Sequence, residues 1–391
     1  MLGKKLSDSL RTWIEIDSRA ARANYNIFRK LIGEKVKLWV VVKSNAYGHG
    51  LFAFSGLMEK LGADGFCVDS VVEGIALRKA GIKKPILVLG STLPGRYAEA
   101  VNYDITITIS NLESLASYVR AKQIPDFHLK IDTGMHRQGL YPEDIPRVIK
   151  LIGNRRPMGE PRLFRAGKLK IGNSLKGLYT HFASAKDINY PTYTDLQFGK
   201  LQKVKALFAA AGFTHCVVHA SATGGTLINS KYHCDAVRLG MGLYGYWPSK
   251  ELEIQLGDVI KLKPVLSWRA IVSETKRLAP GDYVGYDLAE RVPHAITSAI
   301  VPVGYWHGLP RALSSTGEVI IGGKRARILG RVSMDMASVG LHGSVKPGDI
   351  ATLIGRDGQD AIFAWELAQK AETSHYEILA RLNPLMERIV V

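Results

Sequence analysis

Short β-branched and aromatic runs alternate with helical stretches through the first 245 or so residues, and this alternation narrows the fold more than any other feature. The runs are WIEID, KLWVVVK, GFCV, PILVLG, ITITI, FHLKID, LKGLYTHF, CVVHA and AVRLG. Helical periodicity marks Ser18–Leu31, Val71–Ala80, Leu112–Ala121 and Tyr193–Ala211 between them. Such alternation means parallel strands joined by right-handed crossovers, in an open doubly wound sheet or a closed barrel. The nine runs fit an eight-stranded (β/α)8 TIM-like barrel plus one outlying strand, a fold that typically takes ~250 residues. After about Glu251 strand-like runs follow one another directly: VLSWRAIVSET, AITSAIVPVGY, GEVIIGGKRARILGRVSMDMASVGL and GDIATLIG. One helix, Phe363–Arg381, interrupts them. WPSKELEIQLGD breaks the earlier rhythm, so the expected domains are a barrel over 1–250 and a mainly antiparallel β domain over 251–391.

Composition removes several other classes. Of 391 residues 46% are apolar and 22% charged, which fits neither a disordered nor a fibrous chain. No apolar run approaches the roughly 20 residues of a membrane helix. The start, MLGKKLSDSLRTWIEID, has basic residues but no apolar segment behind them, so no secretory signal is expected. Cys67, Cys216 and Cys234 are too scattered for a disulfide framework or a metal ribbon, and the cytosol is the expected compartment. The net charge of +17 raises the question of nucleic acid. Its one local concentration is 155–170, with Arg155, Arg156, Arg162, Arg165, Lys168 and Lys170 against Glu160. Prolines and glycines there indicate a solvated surface loop, and no recognition motif accompanies it.

Barrel active sites are built just past the carboxyl ends of the strands. Lys43, Arg137, His181, Thr223 and Arg238 occupy such positions. Lys43 ends a strongly apolar strand and has two readings. It could snorkel out of the rim, or desolvation could lower its pKa and leave a free amine, a nucleophile or base. The last two barrel strands are the usual phosphate site of this fold, and SATGG and LGMG follow them. Small residues there let backbone N–H groups approach an anion. A nucleophilic lysine, a phosphate nest and an arginine between them point to pyridoxal phosphate.

Two decoys are set aside. GMGLYG at 240–245 matches a dinucleotide fingerprint, but it comes late and runs into a sequence no helix would choose. His215 and His219 have a metal-like spacing without a third ligand, so packing is the simpler role and no metal is expected.

Several segments together resemble the alanine racemase family, in order and over nearly the whole chain. They are VVKSNAYGHG, KIDTGMHRQG, GLYTHFASA, VRLGMGLYG, VGYD, VPVGYWHGLPR, GRVSMDM and HYEILARL. The resemblance implies a pyridoxal 5'-phosphate enzyme that interconverts L- and D-alanine by a two-base mechanism, supplying D-alanine for cell-wall peptidoglycan. It also implies a homodimer in which the β domain of one subunit completes the active site of the other. Lys43 is similar to the lysine that holds the cofactor aldehyde. Tyr47, Thr223, Gly240, Met241 and Tyr376 match the phosphate ligands, His181 the residue against the ring, and Arg238 the partner of the pyridine nitrogen. Arg137 resembles the arginine that meets the substrate carboxylate, and Lys130 the often carbamylated lysine that braces it. Tyr286 is similar to the second base, supplied by the other subunit, and Met334, Asp335 and Tyr305 to the substrate pocket and its entrance.

Racemisation needs a proton to leave one face of the α-carbon and return to the other, which suits Lys43 and Tyr286 as two flanking bases. A guanidinium beside the pyridine nitrogen would leave that nitrogen unprotonated and the ring a weaker electron sink. The chain departs from the family at four places. Ala222 stands where Asn is common, Trp306 and His307 alter the gate, Ser333 replaces a frequent cysteine, and 155–170 resembles an insertion. The substrate range among alanine, serine and other amino acids stays open at this stage.

Overall fold

Each of the nine runs forms a strand in the computed structural model, which describes residues 9–153, 171–341 and 343–391. The basic segment 155–170 lies outside the described residues. In order the strands are β1 (Thr12–Ile16), β2 (Lys37–Val41), β3 (Gly65–Val68), β4 (Ile86–Ser91), β5 (Thr106–Ile109), β6 (Phe127–Lys130), β7 (Leu175–Tyr179), β8 (Val217–His219) and β9 (Ala236–Leu239). Strands β2 to β9 close a parallel barrel, sealed where β2 runs beside β9 with Trp39 opposite Arg238. The expected barrel is borne out, and the outlying strand is the first.

Helices return the chain between strands, and their starts follow side-chain chemistry. Ser70 and Asn111 accept from the backbone N–H of Glu73 and Ser114, at 3.4 and 2.7 Å, capping Val71–Lys79 and Leu112–Arg120. The barrel interior is unusual in being partly polar. Trp39, His128, Tyr179 and His219 pack ring against ring there, with His219 stacked on Tyr179 at 4.7 Å between centroids. Arg238 lies over the Tyr179 ring at 5.0 Å.

The chain divides into two packed units. Arg22–Lys43 and Ser55–Lys263 form the barrel unit, which thus includes a short helix at Lys250–Leu256. The second unit takes the chain up to Ala21, Ser44–Phe54 and Pro264–Val391. Its strands are β10 (Leu266–Ile271), β11 (Glu274–Leu278), β12 (Tyr283–Val284), β13 (Glu290–Arg291), β14 (Ile296–Val301), β15 (Glu318–Ile321), β16 (Lys324–Leu329), β17 (Ala337–Leu341), β18 (Ile350–Asp357), β19 (Asp360–Ile362) and β20 (Glu387–Val390). The main sheet runs β11-β14-β17-β16-β15-β18-β10-β1-β20, antiparallel except where β1 lies parallel to β20. Alternation in LSWRAI shows why: Leu266, Trp268 and Ala270 are buried and the residues between them are not. The single expected helix over Phe363–Arg381 is two, Ala364–Lys370 and His375–Ala380. Ser374 starts the second by accepting from Glu377 N–H. Among the described residues no helix is long and apolar enough to cross a membrane.

Candidate active site

Strand ends carry the charged groups of the barrel unit. Lys43 follows β2 by two residues and Asp69 follows β3 directly; their Nζ and Oδ1 are 3.6 Å apart. The Lys43 side chain is 36% exposed, so the amine reaches solvent and has a carboxylate neighbour. Of the two readings of Lys43 from the sequence, the single chain holds the side chain that reaches out of the rim.

Arg238, on β9, is buried. Its Nη1 donates to His219 Nδ1 at 2.5 Å, and its Nη2 to the carbonyls of Thr180 and Ala220 at 2.8 and 3.0 Å and to His181 Nδ1 at 3.3 Å. Every acceptor is neutral. Burial, then the charges of Arg238, Arg137, Lys130 and Lys43, push the His181 pKa down to about 3. With Nδ1 occupied as an acceptor, neutral His181 carries its proton on Nε2.

Lys130, at the end of β6, is buried and donates to Gln138 Oε1 at 2.9 Å. Burial, with help from Arg137 and Arg238, lowers its pKa to about 8. Arg137 is itself exposed, on a loop shaped by Asp132. One carboxylate oxygen of Asp132 accepts from the N–H groups of Gly134, Met135 and His136 at 2.9, 3.0 and 3.1 Å. Gly134 sits there at φ 139°, and a Cβ would come 2.7 Å from Tyr193 Oη.

The segments expected to form an anion nest follow β8 and β9. Thr223 opens the short helix Thr223–Ile228, and its Oγ1 accepts from Gly242 N–H at 3.2 Å, joining the two loops. Thr223 and Met241 are buried, and Gly240 is buried beside Met241. First-turn N–H groups have no partner within a helix, so they are open to an anion. Ala222 is the cap residue and offers no side-chain bond, as its substitution for Asn implies. No helix opens at Gly240; residues 241–245 are turns, which is the wrong context for a dinucleotide.

The remaining candidate residues belong to the sheet unit. Directly after Lys43, Ser44, Asn45, Ala46 and Tyr47 all have positive φ, between 51° and 55°. This is a left-handed turn of non-glycine residues, each disfavoured by roughly 1–2 kcal/mol. Within this unit Tyr47 meets Tyr376 edge to face at 6.3 Å. Tyr286 stands in the turn Tyr286–Leu288 and is 68% exposed. That turn is tied to Arg331 by its ion pair with Asp287, at 2.7 Å. Backbone bonds from Tyr305 N–H to Ser333 O and from Trp306 N–H to Met334 O, 3.0 and 2.9 Å, hold the gate residues beside Met334 and Asp335. Gly304 permits this, since a Cβ would meet Ser333 O at 2.1 Å. Tyr305, Trp306, Met334 and Met336 are all exposed.

Three contributors escape sequence reasoning: Asp69 beside Lys43, Gln138 beside Lys130, and His219 beneath Arg238. Asp69 had a signal, a carboxylate just past a strand end. Gln138 lies inside a motif already singled out. His219 is a buried acceptor and shares no site with His215, which is exposed. Among the described residues no group of three or more His, Cys, Asp or Glu is placed to hold a metal ion.

The chain matches the family model "Alanine racemase, N-terminal domain" over residues 16–248 and "Alanine racemase, C-terminal domain" over 265–390. It is 33% identical to an alanine racemase of Leptospira interrogans over 397 residues, covering 99% of this chain and 97% of that one. It is 35% identical to alanine racemase 1 of Bacillus subtilis, covering 97% and 92%. Among solved structures, alanine racemase from Bacillus anthracis with bound L-Ala-P superposes with a TM-score of 0.88 at 30% identity, over 97% of this chain and 95% of that one. The enzyme from E. faecalis gives 0.84 at 29% identity, over 97% and 98%. Two domain models in tandem and likenesses along the whole length place this chain in the alanine racemase family.

Proposed function

We propose that the protein is a pyridoxal 5'-phosphate-dependent racemase that interconverts L- and D-alanine, supplying D-alanine for cell-wall peptidoglycan. The observation that carries the cofactor is Arg238, a buried guanidinium with no carboxylate among its partners, at a barrel end it shares with Lys43, Lys130 and Arg137. Such a surplus of positive charge fits a ligand that brings a phosphate, a phenolate and a neutral ring nitrogen. Thr223, Gly240, Met241, Tyr47 and Tyr376 would hold the phosphate, His181 would lie against the ring, and Arg238 would partner its nitrogen. Lys43 would hold the aldehyde carbon through Nζ. Bound there, the cofactor would acidify the α-hydrogen of an attached amino acid by drawing electrons from Cα.

The side chains do the rest. Arg238 can donate but not accept, so it keeps a facing ring nitrogen unprotonated. Lys43 Nζ exchanges a proton with one face of Cα, and Tyr286 Oη of the partner subunit with the other. Exposure of Tyr286, Tyr305, Trp306 and Met334 on a single chain supports a homodimer that shares its sites, because large apolar patches mark contact surfaces. Arg137 would take the substrate carboxylate. Lys130, with its pKa lowered to about 8, has a sizeable neutral fraction near pH 7.5. That amine can add to carbon dioxide and release a proton, and the resulting carbamate would brace Arg137. The cysteines are unpaired, which suits the reducing cytosol.

The test is racemisation of L- and D-alanine, with L-serine alongside. Lys43→Ala should abolish turnover. Tyr286→Phe should lower it by ~10²–10⁴-fold, the usual worth of a positioned acid–base group. Wild-type rates for Tyr286→Phe in both directions would overturn the two-base reading.

A further inference from the structure

The opposite end of the barrel, where the strands begin, contains a cavity of about 280 Å³. Lys37, Trp39, Phe66, Lys83, His128 and Lys176 line it, with Leu87 and Val217 adding apolar wall. Two aspartates reach the same rim, but each has a basic partner: Asp126 pairs with Lys176 and Asp104 with Arg78, both at 3.5 Å. Lys37 and Lys83 have no carboxylate within ion-pair distance among the described residues, and both are exposed at the rim.

The wall is lined with donors. Trp39 is 6% exposed, and its indole N–H is buried without an acceptor. The second donor follows by elimination. A guanidinium cannot accept, so Arg238 donates to His219 Nδ1. His219 is neutral, since burial and Arg238 hold its pKa far down, and its proton therefore sits on Nε2. That N–H donates to His128 Nδ1 at 2.8 Å. His128 is neutral too, pushed to about 3 by burial, then Arg238 and Lys37. Its own proton must be on Nε2, on a ring that lines the cavity. Both rings have room because their neighbours are glycines. A Cβ on Gly65 would come 2.8 Å from the Trp39 ring, and one on Gly177 would come 2.5 Å from the His128 ring.

An apolar cavity with cationic and neutral donors, its aspartates already paired, fits a ligand with a hydrophobic body and an anionic head. We propose that this end of the barrel is a second binding site, for a small apolar carboxylate, and that occupancy is transmitted to Arg238 through the His128–His219 pair. A carboxylate accepting from His128 Nε2 strengthens the next donation along the line, because hydrogen bonds in a chain polarise one another.

Benzoate is the probe and benzamide its neutral control, titrated calorimetrically into the holoenzyme. Saturating DL-alanine is present throughout, which on the racemase reading fills the carboxylate pocket at the other barrel end. Benzoate should bind saturably. Benzamide, or benzoate with the Lys37→Ala/Lys83→Ala variant, should bind about tenfold more weakly or worse, as loss of a charge-assisted bond requires. In ¹⁵N NMR the ring nitrogens of His128 and His219 should both shift on binding, and His128→Asn should silence the His219 response. No saturable benzoate binding in the presence of alanine, or binding that the double lysine variant leaves unchanged, would overturn the site. Binding with unmoved His219 signals would overturn the transmission. Neither readout requires turnover, so failure here is distinguishable from failure of the racemase reading.

Discussion

A guanidinium sealed inside a barrel must find acceptors for its N–H groups, and Arg238 finds two carbonyls and two imidazoles. Arg238→Met would leave the oxygens of Thr180 and Ala220 and the Nδ1 of His219 without this donor. Each orphaned buried group costs ~1–3 kcal/mol, so a loss of about 3 kcal/mol in urea unfolding is the expected outcome. Lys130 makes the second prediction at this scale. ¹³C-bicarbonate should give a carbamate signal in the wild type that Lys130→Ala lacks. That variant should also lose up to ~100-fold in kcat/KM through misplacement of Arg137. Lys43, Arg137, His181 and Arg238 were legible because a barrel dictates where chemistry sits: Lys43 and His181 stand just past a strand, Arg238 within the last one and Arg137 on the loop after β6. Their neutral partners were not. Gln138 is eight positions from Lys130, and His219 touches Arg238 and His128 because three separate strands turn them into one interior layer.

The turn after Lys43 is the element that most resists local preference. Four successive residues occupy the left-handed region with no glycine among them, an arrangement that persists only where surroundings over-determine it. Ala46→Gly should relieve ~1 kcal/mol of strain. Its Tm should hold or rise while turnover falls, as the anchor of Lys43 loosens; an unchanged kcat would separate the strain from the chemistry. The barrel strands were legible from apolar runs, and four helices end within a residue of their expected limits. The helix at Phe363–Arg381 divides because Ser374 and Glu377 form a start signal inside an otherwise helical pattern, after a left-handed Glu372. Lys250–Leu256 escaped notice because its apolar face is short, with Leu252 as its buried residue, although Ser249 caps it.

Over the whole molecule, buried imidazoles set the response to acid. His49 and His128 are held at about 3 chiefly by burial, and His219 is pushed well down. In the unfolded chain each returns to ~6.5, so between those limits the unfolded state binds more protons. Their contribution to stability is therefore complete above pH 6.5 and lost as pH falls toward 3, at ~1.4 kcal/mol per pH unit for each ring. Urea midpoints measured from pH 8 to 4 should bend downward below about 6.5, less steeply in His128→Asn. The proposed sharing of sites between two subunits gives the last prediction. Mixing Lys43→Ala with Tyr286→Phe should restore about a quarter of wild-type activity, since about half the dimers are mixed and each has one intact centre. No recovery after subunit exchange would refute the shared arrangement. Strand β1 has a different consequence, for synthesis. It carries the buried side chains Trp13, Ile14 and Ile16, yet its partners are β10 and β20. Both partners lie far downstream of it, so a nascent chain must shelter this greasy segment until β10, and then β20, have left the ribosome, which makes the tunnel exit and its chaperones the first environment this strand must survive.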